Sequence, residues 1–198
     1  LVQAWINHTM PGFPEPKEHG HEIMQDEHDY EHLKKMMFSE EYMHQCMQYF
    51  KSIKSQHEAG HFALWYTIEG FFWFPRTLFG IENHLYAFYD YPELMHRINQ
   101  DQTDYMLMFL TMEADCIREE LYKVVTPDFM TFAEDMSYNH GPMLSKDCYD
   151  EFIKPYYREI IPFIKSKGTK VFIDTDGDVE PLIPWFQEAG IEGVLPLE

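Results

Sequence analysis

The chain has 198 residues, a formal net charge of −19, and 45% hydrophobic and 17% aromatic residues. That apolar content excludes a disordered chain, and the acidity argues against nucleic acid or an anionic membrane surface as a partner. The length suits a single domain over residues 1–198. No apolar stretch is long enough to span a membrane, and Cys46, Cys116 and Cys148 are spaced as reduced thiols of a cytoplasmic protein would be.

Residues 1–30 hold three prolines and no clear period, and read as an irregular arm. Over 31–56, apolar positions from Leu33 to Ile53 recur near every 3.6 residues, which predicts one or two helices, the second capped by Ser39. The run 62–68 (FALWYTI) has no polar face and predicts a strand buried on both sides. An aromatic stretch with a short helix after Pro75 follows, then a long helix from about Asp90 to about Tyr122. Thr126-Pro127 breaks that helix ahead of a strand at 129–133. Ser145 caps a further helix that Pro155 and Pro162 would kink and Gly168 would end. A strand at 170–174, a helix from about Val179 to Gly190 and a last strand ending at Glu198 complete the order. Strand–helix alternation at this spacing predicts an α/β fold with a parallel sheet.

Four of the apolar runs finish on acidic residues: HFALWYTIE at Glu69, DFMTFAED at Glu134 and Asp135, KVFIDTDGD at Asp174, Asp176 and Asp178, and IEGVLPLE at Glu198. Parallel strands would bring these ends to one mouth. Asp174 and Asp176 could bind a metal ion or act as an acid–base pair, because two close carboxylates push one pKa upward. The plainer reading has Gly177 making a turn and Asp178 capping the next helix. Glu134 or Asp135, ahead of Asn139, His140 and Gly141, suits a polar ligand or an ordinary turn. Phe71, Phe72, Trp73 and Phe74 with Arg76 could roof a pocket or pack beneath a helix.

His57, Glu58 and His61 match the H-E-x-x-H zinc protease pattern, which needs one continuous helix. Gly60 directly before an apolar run argues instead for a turn into a strand.

The stretch from Asp128 to Glu198 resembles the uroporphyrinogen decarboxylase superfamily, which includes the corrinoid and coenzyme M methyltransferases. The segments FAEDMSYNHGPMLS, FIKPYY, KVFIDTDGDVEPLI and AGIEGVLPLE carry the resemblance, and FGIENHLYAFYDYPEL extends it to roughly residues 60–198. The resemblance implies a (β/α)8 TIM-type barrel with its site at the strand C-termini, about half of which this chain would supply. It further implies a methyltransferase-branch enzyme that moves a one-carbon group between a small methylated substrate and a corrinoid or thiol carrier. The alternatives are a tetrapyrrole decarboxylase, disfavoured by the acidic mouth, and a non-catalytic ligand-binding barrel.

Where methyltransferases of the family bind zinc through a His-x-Cys pair, this chain has Asp174-Thr175-Asp176, which suits a harder divalent metal. Catalytic roles are accordingly expected for Asp174, Asp176, Glu134 and Asp135, and substrate contacts for Arg76, Trp73, Asn139, His140 and Glu198. A small-molecule substrate, a corrinoid protein and a homodimer are the expected partners.

Overall fold

Alternation of side chains organises this protein. The computed structural model describes residues 1–6, 11–111 and 121–196. In chain order its strands are β1 (Val2–Ile6), β2 (Leu64–Glu69), β3 (Phe129–Ala133), β4 (Ser137–Tyr138), β5 (Gly141–Pro142), β6 (Lys170–Asp174) and β7 (Gly193–Leu195). Strands β1, β2, β3, β6 and β7 form one parallel sheet in that order, and β4 and β5 form a small antiparallel hairpin. Large-sheet neighbours follow chain order without reversal, unlike the doubly wound sheets whose order switches direction.

The helices are α1 (Glu27–Leu33), α2 (Glu40–Glu58), α3 (Trp73–Phe79), α4 (Ile81–Asp90), α5 (Pro92–Thr111), α6 (Leu121–Val124), α7 (Lys146–Phe152), α8 (Lys154–Ser166) and α9 (Ile183–Ala189). The sheet side chains Leu64, Tyr66, Ile68, Met130, Phe132, Val171 and Ile173 are each at most 1% exposed. They share one face and belong to the main core, with Tyr157, Ile160 and Ile164 of α8. On the opposite face Trp65, Glu69, Phe129, Ala133, Phe172 and Asp174 stay partly exposed. Two threonines are the exception there: Thr67 and Thr131 are buried, with hydroxyls 2.8 Å apart. Strand β2 is therefore fully covered on one face only, not on both as its unbroken apolar run suggests.

Several expectations need correction. The N-terminal segment is not wholly irregular, because Val2–Ile6 pairs in parallel with Leu64–Ile68. Helix α1 also begins inside that segment, where the Asp26 carboxylate accepts the Asp29 N–H at 3.1 Å. Pro155 does not kink a helix but sits in the first turn of α8, where its missing N–H costs nothing. The loop after β3 carries the β4–β5 hairpin. The final strand is only Gly193–Leu195, and Glu198 lies outside the described residues, as do Cys116 and the segment 112–120. Among the described residues no helix is long and apolar enough to cross a membrane.

One buried residue sits oddly in this core. His84 of α4 is 0% exposed, lies between the Phe72 and Phe88 rings, and neither ring nitrogen has a hydrogen-bond partner among the described residues. Burial and the nearby Arg76 charge hold its pKa down at about 3, so the ring is neutral. An unpaired buried polar group is a cost that an apolar replacement removes. His84→Leu should therefore leave the thermal midpoint unchanged or raise it in a calorimetric scan. A fall of more than about 4 °C, roughly 1–2 kcal/mol for a chain of this size, would contradict this.

Candidate active site at the strand C-termini

Register sets the site. Glu69, Ala133 and Asp174 are aligned partners at the ends of three adjacent strands, on the less covered face. Neighbouring strands lie about 4.8 Å apart, so the Glu69 and Asp174 backbones are roughly 10 Å apart. Ala133 stands between them in the row, and the Thr67–Thr131 pair lies one layer below. Burial pushes Glu69 up to about 7, against a hydrogen bond with the Trp73 side chain. Asp174 is also raised, by burial first and then by the charges of Asp135 and Asp176. Glu69 was recognisable in the sequence only as a strand-end acid; its place in the row comes from the register.

The DTDGD loop is built around its middle residue. Thr175 is buried, its N–H bonds Leu195 O at 2.9 Å, and its hydroxyl accepts the Met136 N–H at 3.0 Å. This leaves Asp174 partly exposed and Asp176 exposed. Gly177 has φ +85° and passes so close to Tyr138 that a Cβ would lie 2.7 Å from its backbone, which fixes the loop against the β4–β5 hairpin. Asn139 and His140 form the exposed tip of that hairpin, the His140 ring meeting Tyr138 edge to face at 5.8 Å. The Asp178 carboxylate accepts the Glu180 N–H at 3.2 Å, a local turn-capping role.

Glu134 and Asp135 are adjacent in sequence and opposite in task. Glu134 is 1% exposed. Its carboxylate accepts the N–H groups of Phe71, Phe72 and Trp73 at 2.8, 2.8 and 2.9 Å, and the Tyr157 hydroxyl as well. It thus closes the start of α3, where unpaired N–H groups favour an anion. Burial nevertheless pushes its pKa up to about 7 against those four hydrogen bonds. Asp135 has a left-handed backbone, φ +44°, rare for a side chain other than glycine or asparagine and typical of constrained sites. Its carbonyl accepts Arg76 Nη1 at 3.0 Å.

The aromatic cluster divides. Phe71, Phe72 and Phe74 are 0% exposed and belong to the core. Trp73 and Arg76 are partly exposed, with the guanidinium 4.8 Å above the indole.

The zinc protease pattern is not assembled. His57 and Glu58 are the last two residues of α2, Gly60 turns with φ +76°, and His61 is exposed beyond it. His57 Nε2 lies 2.9 Å from Asp128, which also accepts the Leu64 N–H at 2.7 Å, at the opposite end of the strands from the carboxyl row. Among the described residues, three potential metal-ligand atoms converge only at Asp26, His28 and Asp29 on the surface. Among the described residues no third His, Cys, Asp or Glu ligand atom converges with those of Asp174 and Asp176.

Two tests follow from the buried carboxyls. A Cβ on Gly70 would fall 1.9 Å from Glu134 Oε1, so Gly70→Ala should destabilise by about 1–3 kcal/mol in urea unfolding. A neutral result would mean that the Glu134 clamp is not formed. Because Glu69 and Glu134 are raised from 4.5 to about 7, their contribution to stability is complete below their unfolded pKa and lost as pH rises through about 7. The thermal midpoint should fall between about pH 5 and about pH 8, and Glu69→Gln or Glu134→Gln should each flatten that slope. An unchanged slope in both variants would contradict the assignment.

No family model matches this chain, and no curated protein does. Among solved structures it is similar to a methyltransferase from Methanosarcina mazei, with a TM-score of 0.59 and 14% identity. The likeness covers 90% of this chain and 48% of that one, so this chain spans about half the length of its structural neighbour. At that identity the likeness establishes a shared fold.

Proposed function

We propose that this chain carries the strand-end site of a uroporphyrinogen decarboxylase-like α/β barrel of the methyltransferase branch. Its reaction would move a methyl group between a small methylated substrate and a corrinoid or thiol carrier. The carrying observation is the row Glu69–Ala133–Asp174 with its two raised carboxyls. Sequential parallel strand order and likeness to a protein named a methyltransferase support the scaffold.

In this reading the methyl carbon of the substrate sits over Ala133. The carrier's nucleophile forms a new bond to that carbon, and the bond from carbon to the substrate heteroatom breaks with its electron pair on the heteroatom. Glu69, protonated near neutrality because it is buried, gives that heteroatom a proton. Asp174 and Asp176 orient the substrate, and Asp135, Asn139 and His140 form the rim. Glu134 acts as a positioning residue, holding Trp73 and Arg76 through the start of α3. A divalent ion would be held by Asp174 and Asp176 and would supply charge neutralisation there.

The test is an incubation with O-, N- and S-methyl compounds labelled with ¹³C, using a free thiol or a corrinoid as acceptor, read by NMR. Transfer should occur, and Glu69→Gln or Asp174→Asn should slow it about 100-fold or more. Absence of transfer to either acceptor, with small-molecule binding retained in Asp174→Asn, would instead support a non-catalytic binding protein.

A further inference from the structure

Cations in this chain are scarce, 15 lysines and arginines facing 34 acidic residues. Among the described residues the other partly buried cations are Lys34, Lys54, Arg97, Lys146 and Lys154. Each meets a carboxylate at no more than 3.7 Å. Arg76 is the exception. Among the described residues it makes no ion pair, and its one hydrogen bond is to the Asp135 carbonyl at 3.0 Å. A guanidinium carries five N–H donors in a planar fork, so most of this one's capacity is unused. Burial, the largest influence on its pKa, lowers it, while the more distant Asp135 charge raises it.

Arg76 lies over Trp73 and lines a cleft of ≈ 210 Å³ with Pro16, His21, Thr77 and Ile81. The far wall is the N-terminal segment, pinned by backbone bonds from Ile81 N–H to Gly20 O at 2.9 Å and from Ile23 N–H to Leu78 O at 2.9 Å. Gly80 makes this closeness possible, since a Cβ there would lie 2.7 Å from the His21 and Glu22 backbone. Trp73 joins the cleft to the carboxyl row, because its side chain is also hydrogen bonded to Glu69.

We propose that this cleft binds a small monoanionic carboxylate with an apolar body, its carboxylate on the free edge of Arg76 and its body against Trp73, Pro16 and Ile81. A planar fork matches a carboxylate with two parallel hydrogen bonds. One cation beside Asp135, in a chain of charge −19, favours a single negative charge over a phosphate dianion. The volume limits the ligand to roughly one ring or a short chain. This inference deepens the proposed function by giving the substrate an anionic anchor next to Glu69. Its test reads binding without turnover, so it can fail while methyl transfer stands.

The probe is benzoate, with benzamide and inorganic phosphate as controls, followed by titration calorimetry and by the Trp73 indole N–H signal in NMR of the intact chain. Benzoate should shift the Trp73 signal and bind at least about tenfold more tightly than either control, a difference of about 1.4 kcal/mol. Arg76→Gln should weaken benzoate at least about tenfold, and Arg76→Lys should restore part of the loss, because a point charge lacks the fork. Should Arg76→Gln fail to fold, the Trp73 signal of the unmodified chain still decides. An unmoved Trp73 signal at saturation, equal affinity for benzamide, or equal affinity for phosphate would each overturn the proposal.

Discussion

The carboxylate of Glu134 is the interaction on which the candidate site depends. It lies just past the end of β3 and reaches the first N–H groups of the Phe71–Trp73 segment and the Tyr157 hydroxyl of α8. One buried carboxyl thus joins a strand end, a helix start and a helix of the outer layer. Gly70 is without a side chain where that carboxylate passes. Because α3 is aimed by this contact, so are Trp73 and Arg76, which begin and line the cleft beside the strand ends.

The two faces of the sheet divide the work. The helix-covered face is apolar and almost wholly buried, and supplies the cohesion. The other face carries aromatic side chains, two paired threonines and the carboxyl row, with Trp5 on edge strand β1 54% exposed. The carboxyls Glu69 and Asp174 stand where that second face ends, which is where parallel α/β enzymes generally place their sites. The acidity of the chain is therefore not uniform surface charge: Glu69 and Glu134 are held near neutrality in pKa, whereas Asp150, Glu188 and Glu192 form ion pairs with lysines and are held below the usual carboxylate range.

Much of this was legible in the residue order because strands and acids mark one another. Glu69 and Asp174 end apolar runs, and parallel pairing follows from the helices between them. What the letters could not separate was the use of each acid. Glu134 and Asp135 look alike in sequence, yet one is consumed by a helix start 61 to 63 residues earlier and the other is strained at the rim. Strand β1 escaped notice because five residues ahead of a proline-rich stretch carry too short a pattern. The cluster Phe71–Phe74 hid its division because residues at a helix start point in several directions, and only Trp73 faces the cleft. The spare capacity of Arg76 becomes visible only by comparing its surroundings with those of every other partly buried cation.

Carbon-detected NMR titration of the glutamate carboxyls tests whether the strand mouth is lined and held by buried carboxyls poised near neutrality. Two glutamates, Glu69 and Glu134, should titrate at about 7, with Glu188 and Glu192 below the ordinary 4.5. Titration of both Glu69 and Glu134 near 4.5 would contradict it, leaving the mouth an ordinary solvated acidic surface.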